Sequence, residues 1–288
     1  MKTSNHLLRR LTAALLAAVL ALSIALPVFA SDDGDTIYIN SVSDLLSLAR
    51  NCAYDQWSVG KTVILQKDLS LEGMLWEPIP SFSGQFKGNG HTISDLTITG
   101  QYSPAGLFGI VEEQGSIESL SVRGIVSVSD SADTTTGGIV GINHGTLINC
   151  QFTGVVTGDS EVGGIVGRNE SEGTIDHSTA RAIVTGKSST GGIAGYNLGA
   201  ITGCTNVGSI NTEYQEASLD TDGFTAKMVD QINNKMAAAD DDATNSVTNV
   251  ATDTGGIAGR SSGMILTSVN TGTVGYEHVG YNVGGIVG

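Results

Sequence analysis

The stretch from Gly137 to Cys150 reads GGIVGINHGTLINC, and its opening five residues recur along the chain. Close copies stand at 163–167, 191–195, 255–259 and 284–288, and a degenerate copy, AGLFG, stands first at 105–109. The start-to-start spacings are 32, 26, 28, 64 and 29 residues. Because the middle of the longest interval lacks the motif, we interpret it as one period that carries an insertion. Recurrence at a nearly constant period of this size is the signature of a repeat architecture.

Each copy continues with the same short pattern. After Gly141 the chain places, at fixed offsets, Asn143, Gly145, Leu147, Cys150, Gly154 and Val156, and after Gly195 it places Asn197, Gly199, Ile201, Cys204, Gly208 and Ile210. Short runs of branched apolar residues that alternate with Gly and Asn are typical of strands joined by turns. Three strands per period, with no helical pattern between them, predict an all-β fold: one turn of a right-handed parallel β-helix per repeat.

The glycines of the motif have a structural interpretation. We expect them, with the asparagines, to occupy corners between strands where the backbone needs positive φ, which Gly adopts freely and Asn tolerates. A phosphate-binding loop would need a following helix, and in its P-loop form a Lys-Ser/Thr pair as well. Neither follows any copy, so we exclude phosphate cradles.

Composition excludes several classes of protein. Glycine is 39 of 288 residues but proline only 4, so a collagen is excluded, and a charged fraction of 15% with 40% hydrophobic residues excludes a disordered polyelectrolyte. The formal net charge is −15, from 29 acidic and 14 basic residues. Because the chain is acidic and has no basic run, nucleic acid is not an expected partner.

These motifs carry a family resemblance. The pattern G-G-I-V-G-x-N-x-G-x-I-x-x-C, followed by G-x-V-x-G, resembles the GLUG repeat of bacterial secreted and cell-surface proteins, over roughly residues 105–288. That repeat is found in adhesin-like and haemagglutinin-like proteins and beside the protease domain of some immunoglobulin A peptidases. The resemblance implies a β-helical surface module and names no catalytic residue. Residues 36–104 also resemble the N-terminal region of such proteins, notably WEPI at 76–79 and FSGQFKGNGHTI at 82–93.

Residues 31–104 are predicted to form an N-terminal cap and the first turn or turns of the β-helix. The run Ser41-Val42-Ser43-Asp44 fits a capping box, and the apolar residues after it predict an amphipathic helix to about Ala53. Residues 62–65 and 91–98 alternate like strands. We expect the coil itself to begin near residue 90, with the helix covering its first strand edge.

Residues 1–30 are predicted to be a secretory signal peptide. Lys2, Arg9 and Arg10 precede an apolar run from Leu11 to Leu26, and Val28-Phe29-Ala30 offers a cleavage site for the peptidase. The alternative is an uncleaved membrane anchor. No apolar run of about 18 residues follows, so we expect no transmembrane segment in the mature chain, which would be secreted or associated with the cell surface.

The final copy, at 284–288, opens a repeat that the sequence does not finish. Natural repeat arrays end in a cap with a polar outer face. We therefore expect the chain to be truncated at its C-terminus and to continue into further repeats or an anchor domain.

An insertion at 212–253 interrupts the repeats. Phe224, Met228, Ile232 and Met236 are spaced by four, which predicts a helix over about 224–239 that packs on the flank of the solenoid or binds a partner. The run Asp220-x-Asp222-Gly223 invites a calcium-loop interpretation, but positions 1 and 12 of such a loop would be Ser218 and Val229, neither of them a carboxylate. We therefore predict no metal site there.

No catalytic constellation is found, so we predict no catalytic, cofactor-binding or metal-binding residues and no cofactor. Cys150 and Cys204 hold the same repeat phase with Ser178 between them, about two strand spacings apart, which is beyond disulfide reach. They are expected to be inward residues of one ladder with Leu120 and Ser268. The histidines stand at different phases and form no zinc-binding pair, and the acids are scattered, as on a solvated surface.

The surface of the predicted coil is the remaining candidate for a functional site. The longest variable segments all precede a Gly-Gly pair, so in a regular stack they would emerge on one side: 127–136, 157–162, 185–190, 211–254 and 275–283. Loops on a rigid scaffold are where function usually lies. We predict a non-catalytic β-helix module with an adhesive or stalk role that binds host or bacterial surface glycans or proteins. The alternatives are a polysaccharide lyase or hydrolase on a β-helix, and the spacer of a larger surface enzyme such as a protease.

Overall fold

The structure, a computed structural model, describes residues 35–54, 56–128, 134–212, 251–275 and 280–288. The predicted signal peptide at 1–30, the predicted helix at 224–239 and the Asp220–Asp222 loop lie outside these residues. All of the elements below belong to one compact unit, Thr36–Gly288.

The elements before the first motif include one helix, α1 (Val42–Asn51). The strands of this part are β1 (Thr36–Ile39), β2 (Thr62–Leu65), β3 (Leu69–Ser70), β4 (Ile79–Phe82), β5 (Gln85–Lys87) and β6 (Thr92–Gly100).

The remaining strands follow the repeats. They are β7 (Phe108–Val111), β8 (Ser116–Glu118), β9 (Ser121–Val128), β10 (Thr135–Gly137), β11 (Val140–Asn143), β12 (Thr146–Ile148), β13 (Gln151–Thr157), β14 (Glu161–Gly163), β15 (Val166–Asn169), β16 (Thr174–Asp176), β17 (Thr179–Thr185), β18 (Ser188–Gly191), β19 (Ala194–Asn197), β20 (Ala200–Thr202), β21 (Thr205–Asn206), β22 (Ser209–Ile210), β23 (Ala251–Gly255), β24 (Ala258–Ser261), β25 (Met264–Leu266), β26 (Val269–Asn270), β27 (Thr273–Val274) and β28 (Gly280–Gly284).

These strands form four parallel sheets in which each strand pairs with its equivalent one turn earlier and one turn later. The first sheet runs β1-β2-β5-β8-β12-β16-β20-β25, and the second runs β3-β6-β9-β13-β17-β21-β26, with β22 pairing with β17 and with β27. The third sheet runs β4-β7-β11-β15-β19-β24, and the fourth runs β10-β14-β18-β23-β28. In the repeats the chain visits the fourth, third, first and second sheets in each turn. The predicted parallel β-helix is confirmed.

Two details of that prediction were wrong. Each repeat contributes four strands rather than three, because the residues just before each Gly-Gly pair form the fourth sheet. The coil also begins far earlier than residue 90, since β1 already pairs in parallel with β2, Thr36 opposite Thr62, and β2 with β5. The first strands lack the motif but alternate buried and less buried side chains, which is what a turn of the coil needs.

The predicted cap helix is present and begins as expected. The Ser41 hydroxyl accepts a hydrogen bond from the Asp44 N–H, and the Asp44 carboxylate accepts one from the Asn40 N–H at 2.9 Å. The helix buries Leu45 and Leu48 and packs against β1 and β4. It ends at Asn51, slightly before the expected Ala53.

The interior is a set of columns, each made of the same position in successive turns. One column of the first sheet is apolar throughout and consists of Val63, Phe86, Ile117, Leu147, Ile175, Ile201 and Ile265. All of these are buried except Ile265, which is partly buried against the same core. This burial supplies the main stabilisation of the fold.

A second interior column is polar. Asn143, Asn169 and Asn197 are fully buried in the third sheet, and each donates from Nδ2 to the next: Asn143 to Asn169 Oδ1 and Asn169 to Asn197 Oδ1, both at 2.8 Å. The Asn197 amide continues to Ser261 Oγ at 3.1 Å. Each asparagine also bonds backbone groups of the next corner, as Asn143 does with the Gly145 N–H and carbonyl. These buried amides are therefore satisfied, which removes the cost of desolvating them.

The motif glycines are required by close backbone approach rather than by the expected positive φ. Gly163 has ordinary φ, but a Cβ on it would collide with the Val166 carbonyl oxygen and would lie 2.7 Å from the Gly195 nitrogen of the next turn. A Cβ on the equivalent glycines would collide in the same way with the carbonyl oxygen three residues on: Gly137 with Val140, Gly191 with Ala194 and Gly255 with Ala258. Within the repeats, positive φ is found at the corner after the first-sheet strand, at Ser119, Asn149, His177, Gly203 and Thr267, and at one glycine of the longer pattern, Gly154.

The cysteine ladder is present as predicted. The Cys150 N–H donates to Ser178 Oγ at 3.1 Å, the Ser178 N–H donates to Cys204 Sγ at 3.4 Å, and the Cys204 N–H donates to Ser268 Oγ at 3.2 Å. Both cysteines are buried and free, as is Cys52. Within the described residues, no helix has the length and apolar character needed to cross a membrane.

Candidate binding surface

The variable segments to which the sequence analysis assigned function share one side of the coil. The described residues just before each Gly-Gly pair form the fourth sheet, where Thr136 pairs with Val162, Val162 with Thr190, and Thr190 with Thr254. These residues are a strand ladder rather than free loops; residues 129–133, 213–250 and 276–279 lie outside the described residues. Function on this side would therefore rest on fixed columns of side chains.

The outer face of the third sheet, next to this ladder, carries a stack of charged and aromatic side chains. Arg168, Tyr196 and Arg260 occupy one column on successive turns. The Arg168 guanidinium carbon lies 5.3 Å from the centre of the Tyr196 ring, and that of Arg260 lies 5.4 Å from it. A cation over each face of one aromatic ring is a favourable arrangement, and it holds the two guanidinium groups in place.

The two arginines differ in their ion pairs. Arg168 Nη1 lies 2.9 Å from Glu161 Oε1, and its Nε lies 2.7 Å from Glu170 Oε1. Burial acts to lower the pKa of Arg168, but the two carboxylates outweigh it, so that the pKa is raised and the group stays charged. Arg260 is exposed, and no described carboxylate lies within ion-pair distance of it. Its donor groups face solvent.

The outer face of the second sheet carries columns of hydroxyl groups. At the end of the long strands the same position is a hydroxyl residue in four successive turns: Thr99, Ser127, Thr157 and Thr185. A second column, near the start of these strands, has hydroxyl groups at Thr92, Ser121, Thr179 and Thr205, and the amide of Gln151 in the turn between Ser121 and Thr179. Parallel stacking places these groups about 4.8 Å apart, in straight rows of donors and acceptors.

The carboxylates do not form a hydrolytic pair in the described strands. Glu118 and Asp176 lie in one outer column of the first sheet, but Ile148 occupies the turn between them. An isoleucine at that place leaves no room for a water held between two carboxylates, the arrangement that inverting glycosidases use. Glu161 and Glu170 are both paired with Arg168.

The histidines lie apart from one another. His91 Nδ1 is 3.1 Å from Asp68 Oδ1, and the Thr92 N–H and then His91 lower the pKa of that carboxyl group. His177 Nδ1 is 2.8 Å from Asp176 Oδ1, at a different corner. His278 lies outside the described residues. Among the residues that the structure describes, no group of three His, Cys, Asp or Glu side chains is placed to hold a metal ion.

The cysteines are chemically inert in this fold. Burial raises the pKa of the Cys150 thiol to about 12 and that of Cys204 and Cys52 to about 11. Because the thiolate is the reactive form, such thiols are poor nucleophiles at neutral pH.

Sequence reasoning did not single out the Arg–Tyr–Arg stack, although a signal for it existed. Arg168, Tyr196 and Arg260 each stand five residues after the first glycine of their own motif copy. Aligning the repeats on that glycine would have put them in one column. The alignment alone does not show on which face of the sheet a side chain lies. Only the strand geometry shows that this position points outward and that the next one, occupied by asparagine, points inward.

Comparisons with known proteins agree with the repeat and the fold. Residues 158–185 match the model of the GLUG motif, and they span one turn of the coil, from just before β14 to the end of β17. The presence of GLUG repeats is thereby confirmed.

Two relatives are similar over part of the chain. One is halomucin of Haloquadratum walsbyi, 31% identical over 155 residues, which are 49% of this chain and 2% of the relative. The other is named "Putative Gly-rich membrane protein" in Evansella cellulosilytica, 29% identical over 137 residues, which are 34% of this chain and 16% of the relative. The chain therefore spans only a small part of the length of these relatives.

A solved structure shares the fold. The crystal structure of "a putative immunoglobulin A1 protease" from Bacteroides ovatus superposes with a TM-score of 0.52 at 19% sequence identity, over 82% of this chain and 67% of that one. At this identity the similarity concerns the fold alone.

Proposed function

We propose that this protein is a non-catalytic surface module, a rigid β-helical stalk whose outer columns adhere to glycans or proteins outside the cell. The observation that carries the proposal is the regular outer surface. Rows of hydroxyl groups and the Arg168–Tyr196–Arg260 stack repeat at the spacing of the turns and are held by a fully packed interior. Such a surface offers many weak polar contacts in register, and linked contacts of this kind gain strength through multivalency.

Two further observations support a non-enzymatic role. Glu161 and Glu170 are ion-paired with Arg168, and the Cys150 thiol is buried with a raised pKa, which disfavours a catalytic role for these groups. The similarity to halomucin and to a membrane protein of Gly-rich composition favours a place at the cell surface, although the chain covers little of either. The predicted signal peptide is consistent with export.

Adhesion is tested with beads coated with the exported protein. We expect these beads to attach to bacterial or epithelial cells more than albumin-coated beads do, and we expect attachment to fall when the protein is denatured before coating. In parallel, the protein is incubated with soluble polysaccharides and with casein. Cleavage of any of these substrates, or attachment no greater than that of albumin, would overturn the proposal.

A further inference from the structure

A cavity of about 660 Å³ lies beside the cap helix, away from the outer columns described above. One wall is the end of α1 with Arg50, Asn51 and Tyr54, and the other is the segment with Leu75, Trp76 and Glu77. The second wall belongs to the WEPI motif that the sequence analysis singled out at 76–79. The volume lies in the range of small-ligand sites in proteins, about 300–1,000 Å³.

The walls of the cavity are fixed by the core. Trp76 is only 1% exposed, its Nε1 donates to the Leu107 carbonyl at 3.1 Å, and its backbone N–H donates to the Thr97 carbonyl at 2.8 Å. The helix on the opposite side is held by buried Leu45 and Leu48. A site that keeps its shape without a ligand loses little conformational entropy on binding.

Two large apolar side chains at this cavity are unusually exposed. Tyr54 and Leu75 are each 72% exposed, while Trp76, next to Leu75 in the sequence, is buried. Exposed apolar groups that meet at a concavity are typical of ligand sites rather than of ordinary surface. A ligand that covered them would gain the hydrophobic contribution that the folded chain alone leaves unrealised.

The polar groups of the cavity both donate and accept hydrogen bonds. Arg50 supplies donors, Glu77 supplies acceptors and the Asn51 amide supplies both. In the described part of the chain, neither Arg50 nor Glu77 forms a salt bridge. Their opposite charges offset each other, so the cavity does not favour an ionic ligand of either sign.

We propose that this cavity binds a neutral sugar unit of a surface glycan. A pyranose ring has an apolar C–H face that fits against an exposed tyrosine, and hydroxyl groups that match paired donors and acceptors. A peptide fits less well, because extended peptides usually add to a strand edge, and the strand at this cavity, β4, follows Pro78 and contains Pro80, neither of which has an N–H donor. This inference rests on the adhesive function proposed above and gives it a ligand class and a site.

The test compares four forms of the full chain on an array of immobilised glycans that end in glucose, galactose, mannose, N-acetylglucosamine or sialic acid. The forms are the wild type, Tyr54→Ala, Arg50→Gln and the control Tyr38→Ala, which removes a 51% exposed tyrosine of β1 outside the cavity. We expect the wild type and the control to bind at least one neutral glycan equally. Both cavity variants should bind it at least about tenfold more weakly, with an unchanged thermal midpoint.

Three results would overturn the inference: no glycan bound by the wild type, sialylated glycans alone bound, or the same affinity in the cavity variants. The bead assay separates this failure from failure of the adhesive function. If beads coated with Tyr54→Ala still attach to cells, the protein is adhesive but the cavity does not contribute to adhesion.

Discussion

The turns up to the first, degenerate motif copy and the turns of the later repeats fill the same coil with different chemistry. In the early turns the centre is aromatic: Phe108, in that copy, lies 5.4 Å from both Phe82 and Phe86, measured between ring centres. In the later repeats the matching third-sheet column changes from Phe82 and Val111 to a run of hydrogen-bonded asparagines, followed by Ser261. One region is held by clustered aromatic side chains and the other by apolar columns together with a polar ladder.

The difference follows from repetition. A buried asparagine amide needs hydrogen-bond partners, and a polar residue that recurs at the same place in each turn supplies one from the turn above or below. In the earlier turns this column holds Phe82 and Val111, so that bulky apolar side chains fill the space instead. A periodic sequence can therefore keep a column of polar groups in its core at little cost.

The largest expected effect tests whether the repeats depend on close backbone approach. In Gly163→Ala the new methyl group would meet the Val166 carbonyl and the backbone of the next turn. Because backbone cannot move aside as a side chain can, we expect a loss of about 5 kcal/mol or more in the free energy of unfolding. Denaturant unfolding followed by circular dichroism measures it. Gly285→Ala is the control, since a Cβ there has no atom within 4 Å, and equal stability of the two variants would contradict the prediction.

The next effect tests the aromatic centre of the early turns. Phe108→Ala removes the ring that contacts both Phe82 and Phe86 and leaves a cavity in a fully buried site. We expect a loss of about 3–4 kcal/mol, again from denaturant unfolding. Phe108→Leu, which keeps most of the volume, should lose about 1 kcal/mol. Equal losses in the two variants would mean that aromatic packing does not hold this region.

The polar ladder is tested by replacing its asparagines with valine, because Val111 occupies the same column one turn before Asn143. Asn169→Val leaves the Asn143 amide without its acceptor and Asn197 without its donor. We expect a loss of about 2–3 kcal/mol. Asn143→Val, at the end of the ladder and next to Val111, breaks one ladder bond together with the bonds to the Gly145 N–H and carbonyl, and it should cost about 0.5–1 kcal/mol less. If the end position proves the more sensitive of the two, the ladder is not the stabilising unit.

The buried thiols predict a sensitivity of the repeats to alkaline pH. The pKa of Cys150 is raised by burial to about 12, above its ordinary value of 9.0, so the folded chain holds this proton after the unfolded chain has released it. This contribution to stability is complete below pH 9 and falls as pH rises towards 12, by about 1.4 kcal/mol per pH unit.

The measurement compares the wild type with Cys150→Ala. Between pH 8 and pH 10.5 the wild type should lose about 2 kcal/mol more than the variant, which has no thiol at this site. The variant removes only this group, so other titrations cancel in the difference. A constant difference between the two proteins across this pH range would show that the thiol does not ionise on unfolding as expected.

The smallest effect concerns the outer face. Arg260→Ala removes one cation from the Tyr196 ring at a solvent-exposed site, and we expect a loss of stability below about 1 kcal/mol. Attachment of coated beads, by contrast, should fall if the stack contributes to adhesion. Arg181→Ala, also exposed but outside the stack, serves as the control. A large loss of stability in Arg260→Ala would show that this column stabilises the fold rather than serving only as an outer surface.

Much of the coil could be predicted from the residues alone, because the motif recurs once in each turn. The recurrence of GGIVG and the shared phase of Cys150 and Cys204 were enough to predict parallel stacking and an inward ladder. The fourth strand of each turn was missed, since residues such as Thr135–Gly137 and Glu161–Gly163 vary too much to show a strand pattern. The cavity beside α1 was missed because its walls are 25 residues apart in sequence and share no motif.

The sequence by itself determined that the repeats stack in register, because each period brings the same residues to the same place and only parallel stacking satisfies all of them. The tertiary structure alone decided why the motif needs glycine: a Cβ would meet both the carbonyl three residues on, as at Val166, and the backbone of the next turn, about 30 positions away. It also decided that the strand from Thr36, the first that the structure describes, already belongs to the coil, since it carries no repeat and takes its place by pairing with a neighbour. Local sequence patterns indicate which side chains alternate along a strand. Which backbone segments pass close to each other depends on contacts that exist only in the folded chain.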